Sequence, residues 1–392
     1  MIAFTFPGQG SQKPGAGAAW VDHPSWEVVR AASDAARRDV GYLLLEADAD
    51  ELKLTHNAQL STYVASLLVL DAVRRLGLDA SYVAGHSLGE YTALTAAGVL
   101  SLDDGVRLVG ERGEAMRAAA EGRTGTMAAV LGGDDAAVEA ACAEARSQGH
   151  EVWLANYNAP GQVVIAGSPD GLEAATELVK ASGAKRVMPV AVSGAFHTPY
   201  MAPAQSRLDA AIAAARLSDA TVPAAANVDA AIHSSASEWS DLLSRQLCSP
   251  VRWSQLLTGL AGAGVDTFIE LGPGTVLTGM AKRTVDGGTT RAASSPAEVD
   301  EVAEAFTHKV QASARVEGET LFAAERLVVS PAAGVFAPDD GLHDGSPIVA
   351  GDVVGRVGDT EVRSRFSGLL MGLLAWRGER VSTSQPLAWL RT

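Results

Sequence analysis

A serine flanked two residues away on each side by glycine, in Gly85-His86-Ser87-Leu88-Gly89, limits what this chain can fold into more than any other feature. Before it stands a short apolar run, Tyr82-Val83-Ala84, suited to a buried strand. After it Tyr91 to Ala97 is alanine-rich and suited to a helix. A strand that turns at once into a helix leaves no room for side chains two positions before and after the turn residue, and Gly85 and Gly89 meet that need. The serine hydroxyl then projects from the mouth of a sheet, at a helix N-terminus whose free N–H groups favour developing negative charge. A tight turn carrying an incidental serine is the other reading of this run taken alone.

The surrounding pattern supports a sheet of that kind. Apolar runs at Ala3–Phe6, Tyr82–Ala84, Val187–Val192 and Thr267–Leu271 read as strands. Amphipathic stretches at Gln59–Leu76, Leu88–Ala97, Leu102–Ala119 and Leu172–Ser182 read as helices. Strands separated by helices imply a mainly parallel sheet, so the fold class expected is α/β, with an α/β-hydrolase-like core. Residues 122–195 read as strand, helix, two paired strands, helix and strand, the order of an inserted ferredoxin-like subdomain. A helix near 296–312 closes this region, giving a first domain over 1–312. A linker over 313–325 and a small all-β domain over 326–392 follow. Within the latter, Ser330–Val335 aligns with Ser364–Leu369, and Gly345–Val354 with Gly378–Leu387. Two halves of about 33 residues suggest a flattened barrel with pseudo-two-fold symmetry.

Charge and cysteine content remove whole classes of function. A net charge of −15 argues against nucleic acid or an anionic membrane as main partner. The two cysteines, Cys142 and Cys248, stand in no metal or redox spacing, so neither a disulfide framework nor a zinc site is expected. The N-terminus reads as a first strand rather than a signal peptide, and no apolar run is long enough to span a membrane, so a cytoplasmic protein is expected.

An attacking serine needs a base. His86 is its chain neighbour, but adjacent residues on a tight turn diverge. His197 follows a strand end, at the sheet edge where α/β active sites gather, and is the better candidate; a solvent-exposed loop histidine is its alternative. The glycine-rich loop Phe6-Pro7-Gly8-Gln9-Gly10-Ser11-Gln12 fits neither a Walker A nor a dinucleotide pattern. It reads either as a plain turn or as the source of one oxyanion donor, with the N–H of Leu88 as the other.

Taken together, these segments resemble the malonyl-CoA:acyl carrier protein transacylases. The matching runs, in the family's order, are Phe6–Gln12, Gly85–Tyr91, Leu108–Gly113, Asn156–Gln162, Phe196-His197, Arg245–Leu247 and Glu270–Gly274. The resemblance implies that Ser87 forms the ester with malonate and that His197 is its base. It implies that the main-chain carbonyl of Gln246 orients that histidine, and that Gln9 and Leu88 supply the oxyanion hole. Arg112 would hold the free carboxylate of malonate with a bidentate fork, Met116 would line the same pocket, and Phe196 would leave little room for an α-methyl group. No metal or redox cofactor is implied; malonyl-CoA is the substrate and a phosphopantetheinylated acyl carrier protein the partner. Gly194 departs from the commoner polyketide pattern, which carries histidine there. The segment Val192–His197 looks more like free-standing acyltransferases acting in trans on polyketide synthases. An acyl hydrolase, malonyl transfer for fatty-acid synthesis and a silent scaffold are the alternatives.

The tail resembles the biotinyl/lipoyl carrier fold, whose modified lysine would fall near Val357–Glu361. No lysine follows Lys309, so biotin or lipoate attachment is chemically excluded. Docking or orienting a synthase partner is the role expected of it, with a purely structural remnant as the alternative.

Overall fold

The computed structural model describes residues 1–192, 194–316, 325–339, 341–343 and 345–391, and divides into two compact units, Met1–His308 and Lys309–Thr392. The first unit opens with strand β1 (Ile2–Phe6), followed by helices α1 (Glu27–Ala36), α2 (Val40–Leu45), α3 (Ala49–Lys53) and α4 (Thr55–Arg75). Next come β2 (Tyr82–Gly85), α5 (Gly89–Ala96) and α6 (Leu102–Gly122). The inserted part is β3 (Thr126–Leu131), α7 (Asp135–Ser147), β4 (Val152–Ala159), β5 (Gln162–Gly167), α8 (Pro169–Ala181) and β6 (Arg186–Val190). The chain then returns through α9 (Ala202–Ala214), β7 (Ala224–Ala225), β8 (Ile232–His233), α10 (Ala236–Gln246), α11 (Trp253–Gly262), β9 (Thr267–Leu271), α12 (Val276–Thr284), β10 (Thr289–Ala293) and α13 (Pro296–Val316).

The core sheet has the order β10-β9-β1-β2-β7-β8, parallel except for the β7–β8 pair. Its central strands are buried on both faces, as the continuous apolar runs require. The inserted sheet, β4-β5-β3-β6, is antiparallel with its two helices packed together, which is the ferredoxin-like order. The strand expected over Val187–Val192 is Arg186–Val190. It is an edge strand with an exposed face, and its pairing stops at Val190 although the apolar run continues through Val192. The closing helix runs to Val316, past its expected end at 312. Most of the expected linker, 317–324, lies outside the described residues.

The second unit has strands β11 (Glu325–Val329), β12 (Gly334–Pro338), β13 (Pro347–Ile348), β14 (Val353–Val357), β15 (Thr360–Arg363), β16 (Gly368–Leu373), β17 (Arg380–Val381) and β18 (Pro386–Arg391). They form two antiparallel sheets, β11-β18-β16-β13 and β15-β14-β12-β17. Exchanging β11 with β15, β12 with β16, β13 with β17 and β14 with β18 turns one sheet order into the other. The internal repeat in the sequence is therefore a repeat of topology. Phe336, Val354, Leu370, Leu387 and Leu390 fill the space it encloses. No helix among the described residues is long and apolar enough to cross a membrane.

The turn from β2 into α5 is where the sheet meets the chemistry. Ser87 has φ +53°, in the left-handed region that costs a non-glycine residue about 1–3 kcal/mol. A Cβ on Gly85 would lie 1.8 Å from the Gly89 carbonyl oxygen, and one on Gly89 would lie 2.0 Å from that of Phe6. Gly85→Ala is therefore expected to destabilise by about 3 kcal/mol or more through forced overpacking. Gly110→Ala, on an open face of α6 with nothing near the added methyl, is expected to be neutral or to stabilise by up to about 1 kcal/mol. Urea denaturation of the two variants checks the pair; equal midpoints would contradict the account.

Candidate active site

Ser87 Oγ lies 2.7 Å from His197 Nε2, and His197 Nδ1 lies 3.0 Å from the main-chain oxygen of Gln246. A carbonyl can only accept, so Nδ1 carries the proton and Nε2 presents its lone pair to the serine hydroxyl. His197 is 4 % exposed, so it is not the solvent-exposed loop histidine that the sequence left open. It too sits in left-handed backbone, at φ +60°. Burial, reinforced by the charge of Arg112, pulls its pKa down to about 3. His86, as expected, diverges: its Nε2 meets Asn158 Oδ1 at 2.8 Å and its ring packs edge-on to Trp253.

Two chain segments distant in sequence hold the serine in place, and Glu90 ties them together. Asn227, at the carboxyl end of β7, accepts the Ser87 N–H at 2.7 Å and donates to the Gly85 carbonyl at 2.7 Å. Gln246, at the end of α10, donates to the Ser87 carbonyl at 2.8 Å and to Glu90. Glu90 in turn accepts the Asn227 main-chain N–H at 2.8 Å. Because Asn227 occupies the Ser87 N–H, that group cannot serve an oxyanion. The Leu88 N–H and the Gln9 N–H, on the loop after β1, donate to no protein acceptor among the described residues.

Arg112 comes from α6, whose start is set by the Ser101 side chain accepting from the Asp104 N–H. It is 1 % exposed. Its Nη2 donates to Ser87 Oγ at 3.1 Å and to Gln246 Oε1 at 3.0 Å, and its Nη1 to Gln59 Oε1 at 2.8 Å. A buried guanidinium touching the nucleophile puts a fixed positive charge where an acyl group on Ser87 would extend. Met116 lies one turn further along α6 and takes the Gln59 amide on its sulfur at 3.1 Å, so it supports the partner of Arg112. Phe196 is buried beside His197. A Cβ on Gly194 would lie 2.9 Å from Ala120 Cβ and 3.1 Å from the Phe196 ring, so the bulkier residue common at this position has no room. Ser193 lies outside the described residues.

All the residues expected from the sequence except Met116 and Phe196 thus either touch Ser87 or its histidine or offer an open N–H at this sheet edge. Gln59, Glu90 and Asn227 complete the network but had been given no role. The available signal was a polar residue after an alanine run, Asn227 after Ala224-Ala225-Ala226; Gln59 stands among His56, Asn57, Ser61 and Thr62 and carried no such signal. No group of three or more His, Cys, Asp or Glu side chains among the described residues is arranged to hold a metal.

A serine in an α/β elbow, bonded to a histidine whose tautomer is fixed from behind, can form and break an ester. That defines the protein as a serine–histidine acyl-enzyme former. The chain belongs to the acyl transferase domain family, whose model matches residues 3–319. It is 41% identical over 301 residues to the malonyl CoA-acyl carrier protein transacylase of Bacillus subtilis, covering 76% of this chain and 95% of that protein. Among solved structures it superposes on the acyl-carrier-protein S-malonyltransferase of Burkholderia pseudomallei, with TM-score 0.74, 41% identity, and coverage of 77% of this chain and 99% of that one. A malonyl-transacylase in complex with its holo type II PKS acyl-carrier protein matches with TM-score 0.74 and 36% identity, over 78% of this chain and 99% of that chain.

The depressed basicity of His197 has two consequences. Between pH 6.5 and about 3 the unfolded chain binds a proton that the native histidine does not, so stability falls as pH drops through that window. Over the same window the native base stays neutral. Labelling of Ser87 by a fluorophosphonate is therefore expected to remain rapid as pH falls through 6.5 in the folded protein. An acid limb centred at or above 6.5 would contradict the assignment.

Proposed function

We propose that the chain is an acyl-carrier-protein S-malonyltransferase working by a ping-pong route. Malonyl-CoA acylates Ser87, CoA leaves, and the phosphopantetheine thiol of an acyl carrier protein takes the malonyl group. The observation that carries this reading is Arg112: a buried guanidinium 3.1 Å from Ser87 Oγ suits an acyl group ending in a carboxylate. An acyl hydrolase acting on uncharged chains has no use for it.

In the forward half-reaction His197 Nε2 takes the Ser87 proton as Oγ attacks the thioester carbonyl. The oxyanion is met by the N–H groups of Gln9 and Leu88, and collapse expels the CoA thiolate, to which the imidazolium returns the proton. In the return step the same nitrogen takes the proton of the carrier's thiol. A carbonyl rather than a carboxylate behind Nδ1 leaves the imidazolium with less stabilisation than a full triad gives it. That suffices for a thioester, whose leaving group is itself a good anion. The protein needs no metal or redox group for either step.

Phe196 and Leu88 favour malonyl over branched extender units, although one methyl group is worth only about 1–3 kcal/mol. Similarity extends to a type II PKS malonyl-transacylase and to the Bacillus enzyme alike. The additional all-β unit favours service in trans to a polyketide synthase over fatty-acid synthesis. We read that unit, over 326–392, as a biotinyl/lipoyl-like domain separate from the acyltransferase domain over 1–312. The support is the exchange symmetry of its sheets and the two-residue Gly358-Asp359 turn where the attachment hairpin would lie. Without a lysine it serves to dock a synthase partner.

Intact-protein mass spectrometry after brief exposure to malonyl-CoA, methylmalonyl-CoA or acetyl-CoA tests the reading. A malonyl-sized adduct, absent from Ser87→Ala, is expected. Arg112→Ala should slow malonyl loading by about 10- to 100-fold, the worth of a charge-assisted hydrogen bond, while acetyl loading is undiminished or faster. No adduct from any of the three thioesters on folded protein would sink the proposal.

A further inference from the structure

Arg112 is a buried cation with no carboxylate in contact with it among the described residues. Its hydrogen bonds go to the Gln59 and Gln246 amide oxygens and to the Ser87 hydroxyl, and its guanidinium carbon lies 5.3 Å from the centre of the Tyr91 ring. Its buried Nε has no partner. A charge removed from water in this way costs several kcal/mol unless an anion compensates it.

The compensating anion is Glu90, 1 % exposed and one residue before Tyr91. One of its oxygens accepts the Asn227 main-chain N–H and the other accepts the side-chain N–H of Gln246, two donated hydrogen bonds that favour the charged form of the carboxyl. Gln246 therefore stands between the two charges. Its amide N–H points at the anion and its amide oxygen at the cation, so its dipole is favourably oriented toward both. This orientation is the one its neighbours permit, since the reverse would set an N–H against the guanidinium. Burial raises the Glu90 pKa to about 7, and the charge of Arg112 opposes that rise, so each charge is felt by the other across the amide.

We propose that Gln246 is an insulating relay: it balances the buried charge of Arg112 against Glu90 through a neutral amide, and so keeps the guanidinium unpaired and reserved for an acyl group carrying a free carboxylate. A carboxylate placed directly on Arg112 would satisfy it equally well, but that ion pair would have to break before malonate could bind. The same residue sets His197 through its main-chain oxygen, so acyl selectivity and base orientation meet in one residue. The inference rests on the reading of the acyl group as malonyl, and it makes Glu90 and Gln246 positioning residues for Arg112.

Exchanging the two groups tests it. In Glu90→Gln/Gln246→Glu the new amide at position 90 can still accept from Asn227 and donate to position 246. The new carboxylate at 246 then lies directly on Arg112. Main-chain contacts, including the one to His197, are retained, and only the bond to the Ser87 carbonyl is lost. Loading of Ser87 by malonyl-CoA and by acetyl-CoA is followed by mass spectrometry on the full chain. The expected result is a malonyl-to-acetyl preference lowered by roughly tenfold or more with a raised KM for malonyl-CoA, as a buried ion pair must now be displaced, while the lost bond to the Ser87 carbonyl slows loading by both thioesters alike and so cancels in the ratio. A preference equal to that of the unsubstituted chain would overturn the proposal. If the exchange variant shows no cooperative melt, Gln246→Glu alone is read in the same way, because it also puts a carboxylate on Arg112. Absence of a malonyl adduct on the unsubstituted chain would overturn the substrate reading itself, and the two failures are thereby told apart.

Discussion

The left-handed turn at Ser87 is the constraint on which the rest of the first unit depends. It aims Oγ out of the sheet at His197, and it is a conformation the backbone adopts only at a cost. That cost is offset by bonds to both peptide groups of the serine: Asn227 takes its N–H and Gln246 its carbonyl. Each such bond is worth about 1 kcal/mol net. Together they match the strain, provided β7 and α10 are held against β2. The alternating α/β pattern is thus what brings Asn227 and Gln246, 140 and 159 residues away, to the serine.

This division explains what could be read in the sequence and what could not. The elbow was legible because its requirement is local: two glycines without Cβ atoms at fixed spacing around one serine. The parallel core and the inserted antiparallel sheet were legible because hydrophobic period and element order carry them. So was the repeat in the tail, which became two sheets of interchangeable order. His197 was readable as the base from its place after a strand end, whereas its contact with Gln246 followed from a family pattern, since no local rule brings together residues 49 to 159 positions apart. Gln59, Glu90 and Asn227 were given no role for the same reason. A buried polar side chain is recognised by its partners, and in one dimension the partners are invisible. Glu90 shows this most plainly. In the sequence it is an ordinary acidic residue in the first turn of a helix, where a carboxylate favours the dipole. In the fold it is buried among the groups that set the nucleophile and its histidine.

The polar cluster beneath the elbow also decides how charge is placed. Two buried ionisable groups, Glu90 and Arg112, sit close to a histidine that must stay neutral to act as base. Arg112 helps to keep it so, because a second positive charge beside it is unfavourable. Nothing anionic stands behind Nδ1. A carboxylate there would favour the imidazolium in the resting site and add a second anion next to Glu90. A main-chain carbonyl fixes the tautomer without that charge. The absence of an acid partner is therefore consistent with a pocket built to receive a carboxylate: each anion fixed in its wall competes with the substrate for Arg112.

The same placement of charge orders the events on the enzyme. The Arg112 Nη2 donates to Ser87 Oγ and to the Gln246 amide oxygen, both neutral acceptors that yield to a charged one. On the proposed reading of Arg112, an arriving carboxylate takes the guanidinium from the serine oxygen and frees Oγ to attack, and the selectivity that results rests on that reading. An acyl group without a carboxylate leaves Arg112 on Oγ, where a donated hydrogen bond lowers the nucleophilicity of the very atom that must react. Selectivity then comes from two effects with one cause: the right substrate gains a charge-assisted contact and also releases the nucleophile. Discrimination of this kind exceeds what shape alone provides against a group as small as acetyl, which fits any pocket that admits malonyl.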